Sequence, residues 1–210
     1  SLAPSEMCIR DRVEGDYSQA AFFFCADALS SNIVLNDLKL DSLQGDKEVI
    51  DILQRMGLKL NNKDNGLIGS ASLGLKSTII DGSQCPDIIP VVSLVAALSE
   101  GTTEIINAGR LRIKECDRLA AVTSELNKLG AKIIEKEEGL IIEGVKELKG
   151  NVEVWSHKDH RIAMTMAIAS TMCKERIILK DYECVSKSYP QFWDDFKNLG
   201  GVFDEWNVGE

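Results

Sequence analysis

The sequence predicts a single α/β domain of mixed α and β structure with pseudo-threefold symmetry, its buried helices inside and its sheets outside. Three observations predict it. Three nearly all-apolar helical stretches end on serine: AAFFFCADALS at Ser30, VVSLVAALSEG around Ser99 and HRIAMTMAIAS at Ser170, 69 and 71 residues apart. Three amphipathic stretches close on RMG at Gly57, KLG at Gly130 and NLG at Gly200, 73 and 70 residues apart. A loop with an aspartate precedes each apolar stretch, at Gly15-Asp16, Pro86-Asp87 and Lys158-Asp159, with spacings of 71 and 72.

These features divide the chain into three units, about 13–70, 71–146 and 147–210. Each begins with its aspartate loop and continues into the apolar helix, which is buried on most sides because it has no polar face. A strand follows, at Ile33–Leu35, Glu104–Asn107 and Arg176–Leu179. The amphipathic helix comes next. Its apolar stripe is Val49, Ile52, Leu53 and Met56 in unit one, then Leu119, Val122, Leu126 and Leu129, then Phe192, Phe196 and Leu199. That spacing places one stripe on one helix face. A glycine stops each helix, where the chain needs a left-handed residue. Hairpins through Asp64-Asn65-Gly66 and Glu137-Glu138-Gly139 close the first two units.

Ser1–Arg12 has neither apolar periodicity nor the layout of a signal peptide, and joins abruptly to the patterned region at Val13. It reads as a non-native leader. No linker rich in Pro, Gly or Ser divides the remainder.

A net charge of −9 argues against nucleic-acid and anionic-membrane partners, both of which need a basic surface. No apolar run approaches the roughly 20 residues of a membrane span. The six cysteines include no C-x-x-C pair, which speaks against zinc. With no secretory signal in view, the expected setting is the reduced cytoplasm.

Any anion site must therefore be a local basic cluster. Equivalent loops should gather at one end of the domain, where helix N-termini point the same way and favour anions. The basic residues collect there. Unit two has Arg110, Arg112, Lys114 and Arg118 in RLRIKECDR; unit three has Lys158, His160 and Arg161 in HKDHR, and Lys187 in CVSKSYP. Unit one has Leu43-Gln44-Gly45 at the place of Lys114 and no cluster. Guanidinium groups suit bidentate grips on carboxylate and phosphate.

Five ordered blocks carry a resemblance: VEGDYSQAAFF, PDIIPVVSLVAALSEGTT, RLRIKECDRLAAVTSELNKLGA, HKDHRIAMTMAIAS and CVSKSYPQFW. Together they resemble the 5-enolpyruvylshikimate-3-phosphate synthases from Val13 to about Phe203. The resemblance implies two domains of three βαβαββ units each, of which this chain matches one. It also implies transfer of the enolpyruvyl group of phosphoenolpyruvate to the 5-hydroxyl of shikimate 3-phosphate, with phosphate release, through a tetrahedral intermediate and without metal or other cofactor. By the same carry-over Asp87 is a candidate base, Glu115 an acid/base carboxylate, and Lys187 a phosphoenolpyruvate ligand that moves protons. Arg118 and Arg161 hold the carboxylate and phosphate of phosphoenolpyruvate, Lys114 contacts the shikimate phosphate, and His160 lines the site. Asp16 matches an aspartate of structural or binding role. Arg110 stands where some relatives carry an asparagine that contacts the shikimate phosphate.

Plainer roles stand beside these. Asp16, Asp87 and Asp159 are also candidate N-caps. His157 and His160 have the spacing of a metal pair but no third ligand. Cys116, at a helix start, is a candidate for a lowered thiol pKa, though the implied reaction needs no thiol and a packing role suffices. The resemblance also implies a missing N-terminal domain with most of the shikimate grip, so the isolated chain is expected to show no turnover. Two alternatives remain: UDP-N-acetylglucosamine enolpyruvyl transferase, and a noncatalytic anion-binding module of the same fold.

Overall fold

The computed structural model describes residues 13–64, 66–71 and 74–205. The segment read as a leader, and Asn65 of the first predicted turn, lie outside them.

Unit one starts with α1 (Tyr17–Ala28), an apolar helix buried along most of its length. The predicted strand at Ile33–Leu35 is reduced to a single bridge, in which Leu35 and Leu67 exchange both backbone hydrogen bonds at 2.8 Å. The amphipathic α2 (Glu48–Met56) follows, then a hairpin of β1 (Lys59–Lys63) and β2 (Gly66–Ser70). Unit two holds a full set: β3 (Ile79–Asp81), α3 (Ile89–Ala97), β4 (Thr102–Ile106), α4 (Arg118–Lys128), β5 (Lys132–Lys136) and β6 (Gly139–Glu143). Its strands form one sheet in the order β3-β4-β6-β5, with β3 parallel to β4 and the other pairs antiparallel. Unit three runs β7 (Glu153–Trp155), α5 (His160–Ser170), β8 (Ile178–Lys180) and α6 (Phe192–Asn198), with β7 parallel to β8. The second and third predicted strands are thus present, shifted by one or two residues.

The apolar helices α1, α3 and α5 pack against one another and form the centre of the domain. Every residue of α3 is buried, as a helix without a polar face requires. The stripes of α2 and α4 are also wholly buried, and Phe192 and Phe196 of α6 follow suit. Leu199 departs from the predicted stripe: it is 50% exposed, because among the described residues no strand follows α6 to cover it. Strands β1 and β5 keep most side chains in solvent, so the sheets lie outside the helical core.

The helix ends explain the recurring words. Gly57, Gly130 and Gly200 have φ of 112°, 94° and 99°, a left-handed backbone that glycine takes without strain. The residue after each closes the turn, with Leu58, Ala131 and Gly201 donating to Leu53, Leu126 and Phe196 at 2.8, 3.1 and 2.8 Å.

Candidate active site

The three aspartate loops meet at the N-terminal ends of the central helices, but the aspartates serve differently. Asp16 caps α1, accepting from the backbone N–H groups of Ser18 and Gln19 at 2.8 and 3.3 Å. Asp159 caps α5 through Arg161 N–H at 2.7 Å. Asp87 caps no helix; Ile88 stands at the start of α3 without a side-chain bond. The cap of α4 is Asp117, which accepts from Ala120 N–H at 3.1 Å.

Asp87 faces cations instead. Arg118, only 1% exposed, donates through Nη1 to Asp87 at 2.7 Å, through Nη2 to Glu115 at 2.6 Å and through Nε to Asp159 at 2.7 Å. One buried guanidinium thus joins carboxylates from the start of α3, the approach to α4 and the start of α5. Lys114 Nζ reaches Asp87 at 3.1 Å and Arg161 Nη2 approaches it at 3.7 Å. Burial pushes the Asp87 carboxyl up, but Arg161, Lys114 and Arg118 outweigh it and hold the group below its ordinary value. Asp87 is therefore ionised at neutral pH.

Arg161 is a buried cation whose hydrogen bonds are only partly satisfied. Its Nη1 donates to the Ser18 carbonyl at 2.9 Å, while its buried Nε has no hydrogen-bond partner. Burial, despite the nearby Asp87, lowers its pKa. His160 is similar: its buried Nδ1 has no hydrogen-bond partner and comes only within 3.9 Å of Glu115. Burial and the charge of Arg161 lower the His160 pKa, which favours neutral imidazole. Buried donors without acceptors cost free energy unless a ligand completes them.

A cleft of about 390 Å³ opens beside this network, lined by Ser18, Asp46, Asp87, Arg110 and Lys114 among others. Arg110 lies within a 3₁₀ turn, Gly109–Ile113, and Lys114 follows it; Arg112 ties this turn to the β5–β6 turn. Arg112 donates to Glu135 at 2.8 Å, to the carbonyls of Lys136 and Glu137 at 2.6 and 2.8 Å, and to Asp117 at 2.7 Å. Arg112 is therefore a brace, unlike its neighbours. Lys187 ends the 3₁₀ turn Tyr182–Lys187 and is exposed. The Ser188 carbonyl accepts from Gln19 at 3.4 Å, which sets this segment against the first turn of α1.

Sequence reasoning missed Asp46, Ser18 and the anchoring role of Asp159. Asp46 is nearly buried, accepts a short hydrogen bond from the Ser18 hydroxyl and faces the cleft. Only its place one residue after Gly45, in the unit-one segment equivalent to the basic run, pointed there. The thiol of Cys116 is pushed up to about 12 by burial and by Asp159, the opposite of an activated thiol, so its packing role holds. His157 and His160 serve different carboxylates, Glu125 and Glu115.

The chain is similar to known proteins. The family model for EPSP synthase (3-phosphoshikimate 1-carboxyvinyltransferase) matches residues 4–196. The chain belongs to the EPSP synthase family. The match begins within the segment read as a leader. Two curated relatives named 3-phosphoshikimate 1-carboxyvinyltransferase are 73% identical, from Clostridium botulinum (strain Alaska E43 / Type E3), and 65% identical, from Clostridioides difficile (strain 630). Each alignment spans 199 residues, 95% of this chain but 46% and 45% of the relative. The chain thus spans about half the length of the EPSP synthases it matches. A solved EPSP synthase from Acinetobacter baumannii superposes with a TM-score of 0.78 at 29% identity, over 90% of this chain and 47% of that one. The α/β fold with buried helices is therefore the EPSP synthase fold.

Proposed function

We propose that the residues around Arg118 bind phosphoenolpyruvate and supply the acid–base groups for transfer of its enolpyruvyl group to the 5-hydroxyl of shikimate 3-phosphate. The buried Arg161, whose Nε lacks a hydrogen-bond partner and whose Nη2 approaches the cleft residue Asp87 at 3.7 Å, carries the proposal. It is a cationic donor held ready for an anion, in a chain whose relatives bear the name of this activity.

In this scheme the substrate oxygen bonds to C2 of phosphoenolpyruvate and its proton passes to Asp87. A proton from Glu115 or Lys187 reaches C3, giving the tetrahedral intermediate. Loss of that proton and cleavage of the C2–O bond to phosphate then release the product and inorganic phosphate. Asp87 is a weak base while Arg161 and Lys114 surround it. An incoming anion that draws these cations away raises its basicity, which couples binding to proton transfer. Arg110 lines the cleft where the phosphate of shikimate 3-phosphate would enter.

The partner is the remainder of the longer protein. Leu43 and Ile113, at equivalent places beside the cleft residues Gln44 and Lys114, are 99% and 85% exposed, as an unfilled apolar rim would be. Closure over such a rim excludes water from the site. Among the described residues no helix is long and apolar enough to cross a membrane. The five cysteines among the described residues are free thiols, which fits a cytoplasmic setting.

The test mixes this chain with the complementary half of the Clostridium botulinum relative and follows phosphate release. Phosphate release with shikimate 3-phosphate as acceptor, and none from the chain alone, is the expected result. Release with UDP-N-acetylglucosamine instead would reassign the acceptor. Phosphoenolpyruvate binding without turnover in any mixture would leave an anion-binding module.

A further inference from the structure

We infer that Glu125 and His157 form a positioning pair that sets the loop presenting Asp159, His160 and Arg161, and so governs the site's hold on an anion from two helical turns away. The inference rests on the site reading above and extends it to residues that touch no ligand.

The loop between β7 and α5 supports itself only in part, through Asp159 N–H on the Ser156 carbonyl at 3.0 Å and a bond from Lys158 N–H to the Ser156 hydroxyl. His157 and Lys158 have φ of 53° and 57°, two successive left-handed residues that are not glycine. The left-handed backbone brings Cβ close to the following carbonyl oxygen, which disfavours both residues. Something outside the loop must impose that backbone. The side chain of Glu125 is 1% exposed, deep on α4, and it links α4 to the last residue of β7 and to this loop. Its Oε2 accepts from Trp155 N–H at 2.8 Å and its Oε1 meets His157 Nε2 at 3.0 Å. Lys128 Nζ at 2.8 Å and the Ser124 hydroxyl at 3.1 Å, both from α4, complete its shell. The His157 ring lies on Trp155 with centroids 4.2 Å apart, and Trp155 Nε1 is tied to Asp181 at 2.7 Å. Ser156 accepts Lys158 N–H at 3.0 Å and donates to the Asp181 carbonyl at 3.0 Å.

Glu125 follows Arg118 by seven residues, so both lie on one face of α4 two turns apart. Arg118 grips the far end of the same loop through Asp159 at 2.7 Å. Helix α4 thus holds the loop at both ends. Releasing one end frees the backbone that aims Arg161, and sites lose affinity when their supporting contacts loosen.

His157→Gly tests this. Glycine suits a φ near 53°, so a role limited to fold stability predicts little harm from it. The positioning role predicts a local loss. Amide exchange at residues 157–161 of the ligand-free chain is expected to rise at least about tenfold, with the rest of α4 unchanged and the melting temperature nearly constant. Affinity for phosphoenolpyruvate by calorimetry is expected to fall on the order of tenfold. His157→Gln, whose amide also donates, is expected to restore both. Unchanged exchange at 157–161, a uniform rise across the domain, or failure of the glutamine variant to restore protection would overturn the inference. If the parent chain binds no phosphoenolpyruvate, the site reading fails and the exchange results alone decide this one.

Discussion

Arg118 and Asp159 form an ion pair at 2.7 Å in which both side chains are out of reach of solvent, at 1% and 0% exposure. The same guanidinium reaches two partly exposed carboxylates, so a buried pair anchors an accessible one. Removing one member strands the other's charge. Arg118→Met is expected to destabilise the chain by about 3–5 kcal/mol. Arg118→Met with Asp159→Asn should recover part of that, since asparagine can still cap α5. Urea denaturation of the two variants at neutral pH measures the difference.

Arg161 bears on binding more than on folding. Burial lowers its pKa and its Nε lacks a partner, so the ligand-free fold gains little from its charge. Arg161→Gln should leave the denaturation midpoint nearly unchanged and weaken phosphoenolpyruvate by roughly 1.5–3 kcal/mol, the range for hydrogen bonds to charged groups. Calorimetric titration would show this as a loss of about tenfold or more.

Asp46 predicts a pH dependence of definite sign. Burial pushes its carboxyl above the ordinary value, against the Ser18 hydroxyl, with Asp87 adding to the rise. A raised carboxyl contributes stability that is fully present below its unfolded pKa, about 3.9, and is lost as pH rises through the folded pKa. Asp46→Asn is therefore expected to raise the melting temperature at pH 7, and the gain should vanish below about pH 4. A lower melting temperature at pH 7 would contradict the assignment.

The helix-ending glycines test the repeat. Gly130 and Gly200 have no neighbour closer than 3.5 Å to an added Cβ, so alanine there meets only the left-handed backbone. Both alanine variants should cost about 1–2 kcal/mol, and similar values at the two sites would mark equivalent strain. Thermal denaturation of each variant provides the comparison.

Lys187 is exposed and is held by no ion pair among the described residues. Lys187→Ala should leave stability within about 0.5 kcal/mol, as exposed substitutions do. Phosphate release by the reassembled halves should nevertheless fall by at least about a hundredfold, the contribution of a positioned acid–base group.

Periodicity alone made the repeat, the buried stripes of α2 and α4 and the glycine stops legible, because each depends on residues close in sequence. Identity along the chain likewise marked Arg118, Arg161 and Lys114. What stayed hidden depends on contacts between units. Asp16, Asp87 and Asp159 look equivalent, yet only Asp87 is left uncapped and turned to cations. Glu125 reads as one more polar residue of an amphipathic helix until the β7–α5 loop closes over it. The unit-one strand shrinks to a bridge between Leu35 and Leu67, residues far apart in sequence, and Leu199 stays half exposed because among the described residues no strand follows α6.

Gln44 holds the unit-one place of Lys114, and its amide is fully engaged: it donates to Glu14 and the Gly15 carbonyl at 3.0 and 2.8 Å and accepts Tyr17 N–H at 2.9 Å. Three copies of one architectural unit have thus diverged into unlike trades. The first fastens the chain entering α1, and the other two carry the cations around Asp87. An engineer who grafted lysine at 44 to enlarge the cationic rim would unfasten the entry of α1 before gaining a contact. Symmetry of backbone here is no guide to interchangeability of side chains.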